Sequence, residues 1–388
     1  MRKDSFDYII AGGGLAGLSL AFYLNESEHL RGKKVLIIDR DAKRRNDRTW
    51  CFWEREPGAF EETVFRRWPT VRFHGAQGFS ASLDLGPYSY KMIRAADFYR
   101  FVLEKIAANR NFTFLQSEIV SAENGTVNTA AGEFEARELV FESFTRKSYD
   151  DPRYRNLFQH FRGWVIETGG AAFDPNEPTL FDFRVAQMNE CRFVYILPFS
   201  ASRALVEFTI FSDNLPDKSV YEENLRSYIE NVLGQKNYEI LETETGLIPM
   251  SDEPHVEFPD AKTIRIGTAG GYVKPSTGYS FTRTQNRLQK LVGKLENPQN
   301  QRPKTKDRRP NVWKSYLDSV LLDVLLTKKH AADEVFTALF SKNPAALVLK
   351  FLDEETSPAE DLRIMKSVPL PAFSRAALET ALKNLRRK

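Results

Sequence analysis

The segment Asp7-Tyr8-Ile9-Ile10-Ala11, followed at once by Gly12-x-Gly14-x-x-Gly17 and the apolar stretch Leu18 to Leu24, leaves few folds open to this chain. The first five residues read as a short buried strand, the glycines as a tight turn and the rest as a helix. Gly12 permits the turn, Gly14 lets a pyrophosphate approach the backbone, and Gly17 lets the helix pack on the strand with its N-terminus toward the phosphates. A second strand, Lys34 to Ile38, ends in Asp39, a carboxylate placed to accept ribose hydroxyls, and then Arg40. Strand, turn, helix, strand and acid in that order predict a Rossmann-type dinucleotide site. FAD and NAD both satisfy the motif, whereas Asp39 argues against the 2'-phosphate of NADP at this position.

Residues 8 to 24 form an uncharged run of near membrane-spanning length, but three consecutive glycines inside it and Asp4 and Asp7 upstream favour the strand-turn-helix reading. No other segment reads as a span, so any membrane contact is expected at the surface. With 55 basic against 52 acidic residues, the chain lacks the concentrated positive charge that phosphate binding requires, and nucleic acid is not expected as a partner. Two distant cysteines and five scattered histidines offer neither a disulfide framework nor a metal-ligand spacing, and a reducing compartment fits.

A length of 388 residues predicts two or three packed units. Residues 1–145 read as the dinucleotide-binding portion: a helix at 97–109, then strands over 113–120, 126–129 and 139–141. Residues 146–245 read as a mainly antiparallel β-rich substrate domain, with a helix at 221–232. Residues 246–297 return to the first domain through a strand at 263–266, a glycine turn at 267–271 and a helix from about Phe281. A polar, proline-bounded connection at 298–310 then leads into a helical region, 298–388. Residues 296–388 hold 17 basic and 12 acidic residues beside the apolar run Val320 to Leu326, which fits either a lipid-facing helix or a core helix.

Three segments could carry chemistry. In Leu205-Val206-Glu207-Phe208-Thr209-Ile210-Phe211, strand alternation puts Leu205, Glu207 and Thr209 on one face and Val206, Phe208 and Ile210 on the other. A Glu207 face turned toward an apolar pocket makes a proton donor or acceptor; turned toward solvent, it is unremarkable. Trp50 and Trp53 follow the second strand closely and are expected to cover a cofactor or an apolar ligand, or else to plug a core. Asp353-Glu354-Glu355 read mainly as a solvated cluster. The 29 Phe, 14 Tyr and 5 Trp suit a Phe-rich core, or an aromatic-lined site.

The segments DYIIAGGGLAGLSLA (7–21), DRTWCFW (47–53), QHFRGW (159–164), FVYILPF (193–199), LVEFT (205–209), GTAGGYVKPSTGYSF (267–281) and FLDEETSPAEDLRIM (351–365) together resemble the lycopene β-cyclase family of carotenoid biosynthesis over nearly the whole chain. The resemblance implies an α/β fold: a Rossmann-type FAD-binding domain, an antiparallel β substrate domain and a helical C-terminal region. It implies that FAD contacts Gly12, Gly14, Gly17, Asp39, Arg40, Gly267, Gly271, Thr277 and Gly278, and that Glu207 is the catalytic carboxylate. Trp50, Trp53, Phe208 and Tyr279 are then expected against the substrate. The implied reaction closes the linear ends of lycopene to β-rings one at a time, by way of γ-carotene, without net redox change. It uses reduced FAD regenerated by NADPH or another donor. A cytoplasmic enzyme at the membrane surface, meeting other carotenoid-pathway enzymes, is expected. The competing readings are a flavin-dependent prenyl reductase or monooxygenase, and a non-catalytic dinucleotide-containing protein of the membrane surface. Phe141-Glu142-Ser143 and Val273-Lys274-Pro275 depart from the family's usual cofactor-side residues.

Overall fold

The computed structural model describes residues 6–144, 147–297 and 311–386. The expected connection at 298–310 and the boundary residues 145 and 146 lie outside the described residues.

Four strands pair in parallel in the order Phe112–Gln116, Val35–Asp39, Phe6–Ala11 and Gly132–Glu142, and Thr263–Arg265 adds to the last of these. Ile9, Ile10, Val35 and Ile37 are fully buried. A sheet covered on both faces needs such unbroken apolar runs. The helix Leu15–Glu26 starts directly after the first strand, so the uncharged run at 8–24 is divided between two elements. The segment expected as one strand at 113–120 is divided as well. Phe112–Gln116 stays in the parallel sheet, while Ile119–Glu123 pairs with Thr126–Thr129 around Asn124 and Gly125, both at positive φ.

The second sheet has seven strands: Tyr238–Ser251, Asn156–Thr168, Arg203–Ser212, Cys191–Pro198, Thr179–Asp182, Thr70–His74 and Ser80–Asp84. All its pairings are antiparallel except Thr70–His74 with Thr179–Asp182. The expected division at 145 is thus crossed, because 70–84 supply two strands to the sheet of the β-rich stretch. Thr49–Glu54, Ser89–Arg94 and Val64–Trp68 form a third, small sheet.

Each face of the seven-stranded sheet has its own cover. Lys218–Ser227, continued by Tyr228–Val232, packs over Trp164, Val206, Phe208 and Ile210. The helices Val312–Leu326, Ala332–Lys342, Ala345–Leu352 and Pro358–Ser367 cover the other face, where Phe336 stacks on Phe181 with ring centroids 5.2 Å apart. Arg155, fully buried, fastens sheet to helices through Asp323 at 2.8 Å, Asp252 at 3.0 Å and Thr380 at 2.8 Å. Val320, Leu322 and Val324 are buried in this packing, so the 320–326 run is core and does not face lipid. Exposed apolar side chains gather instead on the last helix, Leu370–Arg386, at Leu370, Leu378, Leu382 and Leu385. Among the described residues no single helix is long and apolar enough to cross a membrane.

Candidate active site

Strand register assembles the site. Tyr195, Glu207, Gly163 and Glu244 form one row across four adjacent strands. Side chains in such a row project from the same face, and Gly163, between the two acids, contributes none. A Cβ there would come within 2.9 Å of Leu205 Cδ1 and 3.1 Å of Glu244 Cγ. The gap lets two carboxyl groups from non-adjacent strands approach one another. Both glutamates are buried, each 8% exposed. Burial, then the like charge of Glu244, push the Glu207 carboxyl well above the usual range, while a hydrogen bond from Thr209 Oγ1 at 3.0 Å opposes the shift. Burial also raises Glu244, against the stabilising Thr49 Oγ1, which donates to its Oε2 at 2.8 Å, and the Arg48 charge. Two buried carboxyls with these neighbours hold a proton more tightly than either would in water.

Glu207 lines a pocket with Trp50, Tyr90, Tyr195, Leu197, Leu205, Gly278, Tyr279 and Phe281, whereas Glu244 stands behind Thr49 and does not line it. Through Tyr195, Thr277 and Tyr279 this pocket adjoins a larger apolar cavity of about 200 Å³. Trp53, Phe181, Leu321, Phe336 and Phe373 are among the residues that line the cavity. Burial raises the Tyr90 and Tyr195 hydroxyls far above their usual range and Tyr279 up to about 12, so all three are neutral donors at physiological pH. Trp53 meets Tyr279 edge to face at 4.6 Å and donates its indole N–H to Asp353 Oδ2 at 2.6 Å. Trp50 projects from the opposite side of the same strand, edge-on to Phe98.

The glycine turn has the shape its spacing predicts. Gly12 has φ +111°, and a Cβ on Gly17 would lie 1.8 Å from the Gly12 carbonyl oxygen, which only glycine permits. A side chain on Gly14 would meet nothing within 4 Å, and the first turn of Leu15–Glu26 carries no acid of its own, so the helix N-terminus opens onto free space suited to an anionic group. Asp39 accepts from the Gly13 N–H at 2.7 Å and from the Asp41 N–H at 2.8 Å, and pairs with Lys43 at 3.1 Å. Gly267, at φ +61°, packs on Ala16, bringing the second glycine turn beside the first. Thr277 Oγ1 is buried without a hydrogen-bond partner, a polar atom in want of a ligand group. These residues fit a dinucleotide running from Asp39 past Gly14 toward Gly278.

Two expected contacts fall elsewhere, while Arg40 stays beside Asp39. Phe208 is fully buried on the opposite face of the sheet from Glu207, among Trp164, Tyr221 and Ile229, because adjacent strand residues alternate sides. Gly271, at φ +68°, abuts His255 and gives its carbonyl to Arg287, a packing role. The Arg40 side chain is exposed, and its carbonyl accepts from Gln116. The acids at 353–355 are not a solvated cluster either. Asp353 binds Trp53, Glu354 pairs with Lys274 and Arg283, and only Glu355, paired with Arg55, is exposed. Glu244 went unforeseen because Leu241-Glu242-Thr243-Glu244-Thr245 reads as a polar, solvated strand, and no sequence signal sets one of these acids apart.

A Rossmann-type sheet whose second glycine turn abuts an antiparallel sheet is a fold shared with solved flavin-dependent proteins. A geranylgeranyl bacteriochlorophyll reductase-like protein from Thermoplasma acidophilum superposes with a TM-score of 0.61 at 15% identity, covering 96% of this chain and 98% of that one. A flavoprotein/dehydrogenase from Cytophaga hutchinsonii also gives 0.61, at 13% identity, over 99% and 100%. Within that architecture the chain belongs to the lycopene cyclase family: the family described as lycopene cyclase protein matches residues 7–378. The lycopene beta-cyclase of Pseudescherichia vulneris is 27% identical over 71% of this chain and 70% of its own length. That of a Paracoccus species is 25% identical over 94% of both, and the chloroplastic Arabidopsis thaliana enzyme 26% over 73% and 58%. Membership makes this chain an enzyme acting on carotenoids.

Proposed function

We propose that this enzyme converts the linear ends of lycopene to β-rings, with FAD in the paired glycine turns and Glu207 as the catalytic acid, without net redox change. The observation that carries the reading is a buried Glu207, its carboxyl pushed well above the usual range by burial and by the like charge of Glu244, at the junction between an apolar cavity and the Thr277-Gly278 turn.

The substrate has no polar handle, so affinity must come from apolar burial, which the cavity lining supplies. One end of the chain enters past Trp53 and Tyr279. Glu207 gives its proton to the terminal alkene, leaving a tertiary cation; the internal double bond attacks that carbon and closes the ring. The cation now lies on the ring, and loss of a neighbouring ring proton to the Glu207 carboxylate forms the β-ring double bond and restores the acid. Atoms and charge return to their starting count, which is why substrate and product have equal mass. Trp50, Tyr90, Tyr195 and Tyr279 present aromatic faces that tolerate a cation better than alkyl walls do. Bound reduced flavin supplies nearby negative charge that favours the cation. Gly12, Gly14, Gly17, Gly267, Thr277, Gly278 and Asp39 hold that group.

NADPH or another donor keeps the flavin reduced in this reading, and the leucines exposed on Leu370–Arg386, with Arg375 and Lys383 on the same helix, support docking on a membrane surface. Expression in a lycopene-accumulating host tests it. The wild type yields ring products of unchanged mass, whereas a reductase adds two hydrogens and a monooxygenase adds an oxygen. Glu207→Gln retains FAD and forms no rings; substantial ring formation by that variant removes Glu207 from the chemistry.

A further inference from the structure

The reading of Glu207 as proton donor leaves open what keeps a proton on it in the presence of a second buried acid. We propose that Glu244 is a positioning residue that carries the single negative charge of the pair and thereby holds the proton on Glu207, across the side-chain-free Gly163. This rests on the proposed cyclisation and assigns a role to a residue that touches neither the pocket nor the glycine turns.

The asymmetry of the two surroundings decides which acid is charged. Thr49 Oγ1 donates to Glu244 Oε2, and Arg48 lends positive charge on the same side. Glu244 Oε1 is buried with no hydrogen bond, an acceptor available to a proton on Glu207. Glu207 accepts from one donor, Thr209 Oγ1, and faces a pocket lined mainly by apolar and aromatic groups, with Gln159, Thr277 and Ser280 but no cation among the described residues that line it. Each acid has one hydroxyl donor; an anion is further stabilised by the cation near Glu244 and penalised by the mainly apolar wall around Glu207.

The other titratable groups packed against the pair do not alter this. Tyr90 and Tyr195, buried, and Cys51 and Tyr279, half-buried, are all pushed up by desolvation and stay neutral through the working range. Glu242, on the strand of Glu244, opposes the Arg48 charge, but its effect on Glu244 is the smallest of those acting there, since it is exposed and engaged by Arg94 at 3.3 Å. Arg162, next to Gly163, projects from the opposite face and pairs with Glu222. Glu244 therefore sets the proton affinity of Glu207 through its own charge. When Glu207 gives up its proton, two anions stand close together, which strengthens the base that must take the ring proton back.

The test compares wild type, Glu207→Gln, Glu244→Gln and Glu244→Asp as FAD-loaded full-length proteins. Infrared difference spectra over pH 5–9 follow the C=O stretch of the protonated carboxyl that Glu207→Gln abolishes. In Glu244→Gln, which removes the charge, that band disappears about one pH unit or more lower than in wild type. The alkaline limb of the ring-forming activity moves down with it. Activity falls roughly tenfold at pH 8 and little at pH 6, with KM for lycopene unchanged. Glu244→Asp keeps the charge and restores the wild-type profile.

If Glu244→Gln does not fold, Thr49→Val carries the test: the proton moves toward Glu244 and the Glu207 band weakens at pH 7. Ring formation by the wild type with bands and profiles unmoved in these variants, or an equal loss at every pH, overturns the shared proton alone. A wild type that forms no rings, yet shows the infrared shifts, overturns the proposed cyclisation and leaves the shared proton standing.

Discussion

Two groups of buried acids flank the loop between Lys274 and Ser280, and they differ in what neutralises them. On the side of the seven-stranded sheet, Glu207 and Glu244 face each other with like charge. On the side of the C-terminal helices, Asp318 and Glu354 close on Lys274, with Lys274 Nζ 2.8 and 3.0 Å from the two Asp318 oxygens and 3.1 Å from Glu354. Ser276 Oγ adds a bond to Asp318 at 2.7 Å. Asp318 is as buried as either glutamate and Glu354 is half-buried; the sharper difference is the counter-charge. Where a cation is supplied, the carboxylates pair with it and fasten the loop to the Val312–Leu326 helix. Where a second carboxylate is supplied instead, one of the two must hold a proton, and the site becomes an acid.

The comparison breaks first at the fastener. Asp318→Ala leaves a buried ammonium with Glu354 as its remaining partner, and is expected to cost about 3 kcal/mol, read as a large fall in thermal midpoint together with loss of FAD. An unchanged midpoint would mean that the ion pair does not hold the loop.

The acid side responds in the opposite direction. Because the folded protein holds a proton that the unfolded chain releases near the ordinary carboxylate pKa, stability decreases as pH rises above that value, until Glu207 itself ionises. Glu207→Gln removes the burdened acid and is expected to stabilise the fold at pH 8 by about 1–2 kcal/mol, with the gain vanishing toward pH 4. Denaturant titrations at both pH values measure this. A variant that is inactive and also less stable at pH 8 contradicts a protonated, strained Glu207.

Gly163→Ala sharpens the same contrast, since its methyl group enters the gap between the two acids. A cost of about 1 kcal/mol is expected, with a fall in kcat and little change in KM. The smallest effect concerns Asp353, which burial raises to about 7, against the Trp53 N–H that favours its charged form. Its folded pKa lies above the unfolded value, so its contribution to stability declines as pH rises from the ordinary range to about 7. A tryptophan fluorescence titration centred there is expected in the wild type and absent from Asp353→Asn.

The first glycine turn was legible because its constraint is local: a Cβ at position 17 has nowhere to go within its own turn. Glu207 was half legible. Period-two alternation put it with Leu205 and Thr209, but a strand read alone has no means of saying which face meets water. The same alternation already separated Phe208 from Glu207, and the tertiary packing bears that separation out against the expectation of a substrate contact. The acids at 353–355 read as solvated because the partners of the first two, Trp53, Lys274 and Arg283, lie far away in the sequence.

By itself the sequence determined where the chain turns on its glycines, which segments alternate as strands and which acid stands in an apolar run, since sterics and periodicity act between near neighbours. Only the tertiary structure decided that a glycine on the strand Asn156–Thr168 would lie between two glutamates from either side of it. It also decided that the 320–326 run would wall a cavity and not meet lipid, and that Trp53 would reach Asp353. Those outcomes depend on strand register and on helices returning from far along the chain, and burial acquires its chemical meaning for a carboxylate only when its neighbours in space are set.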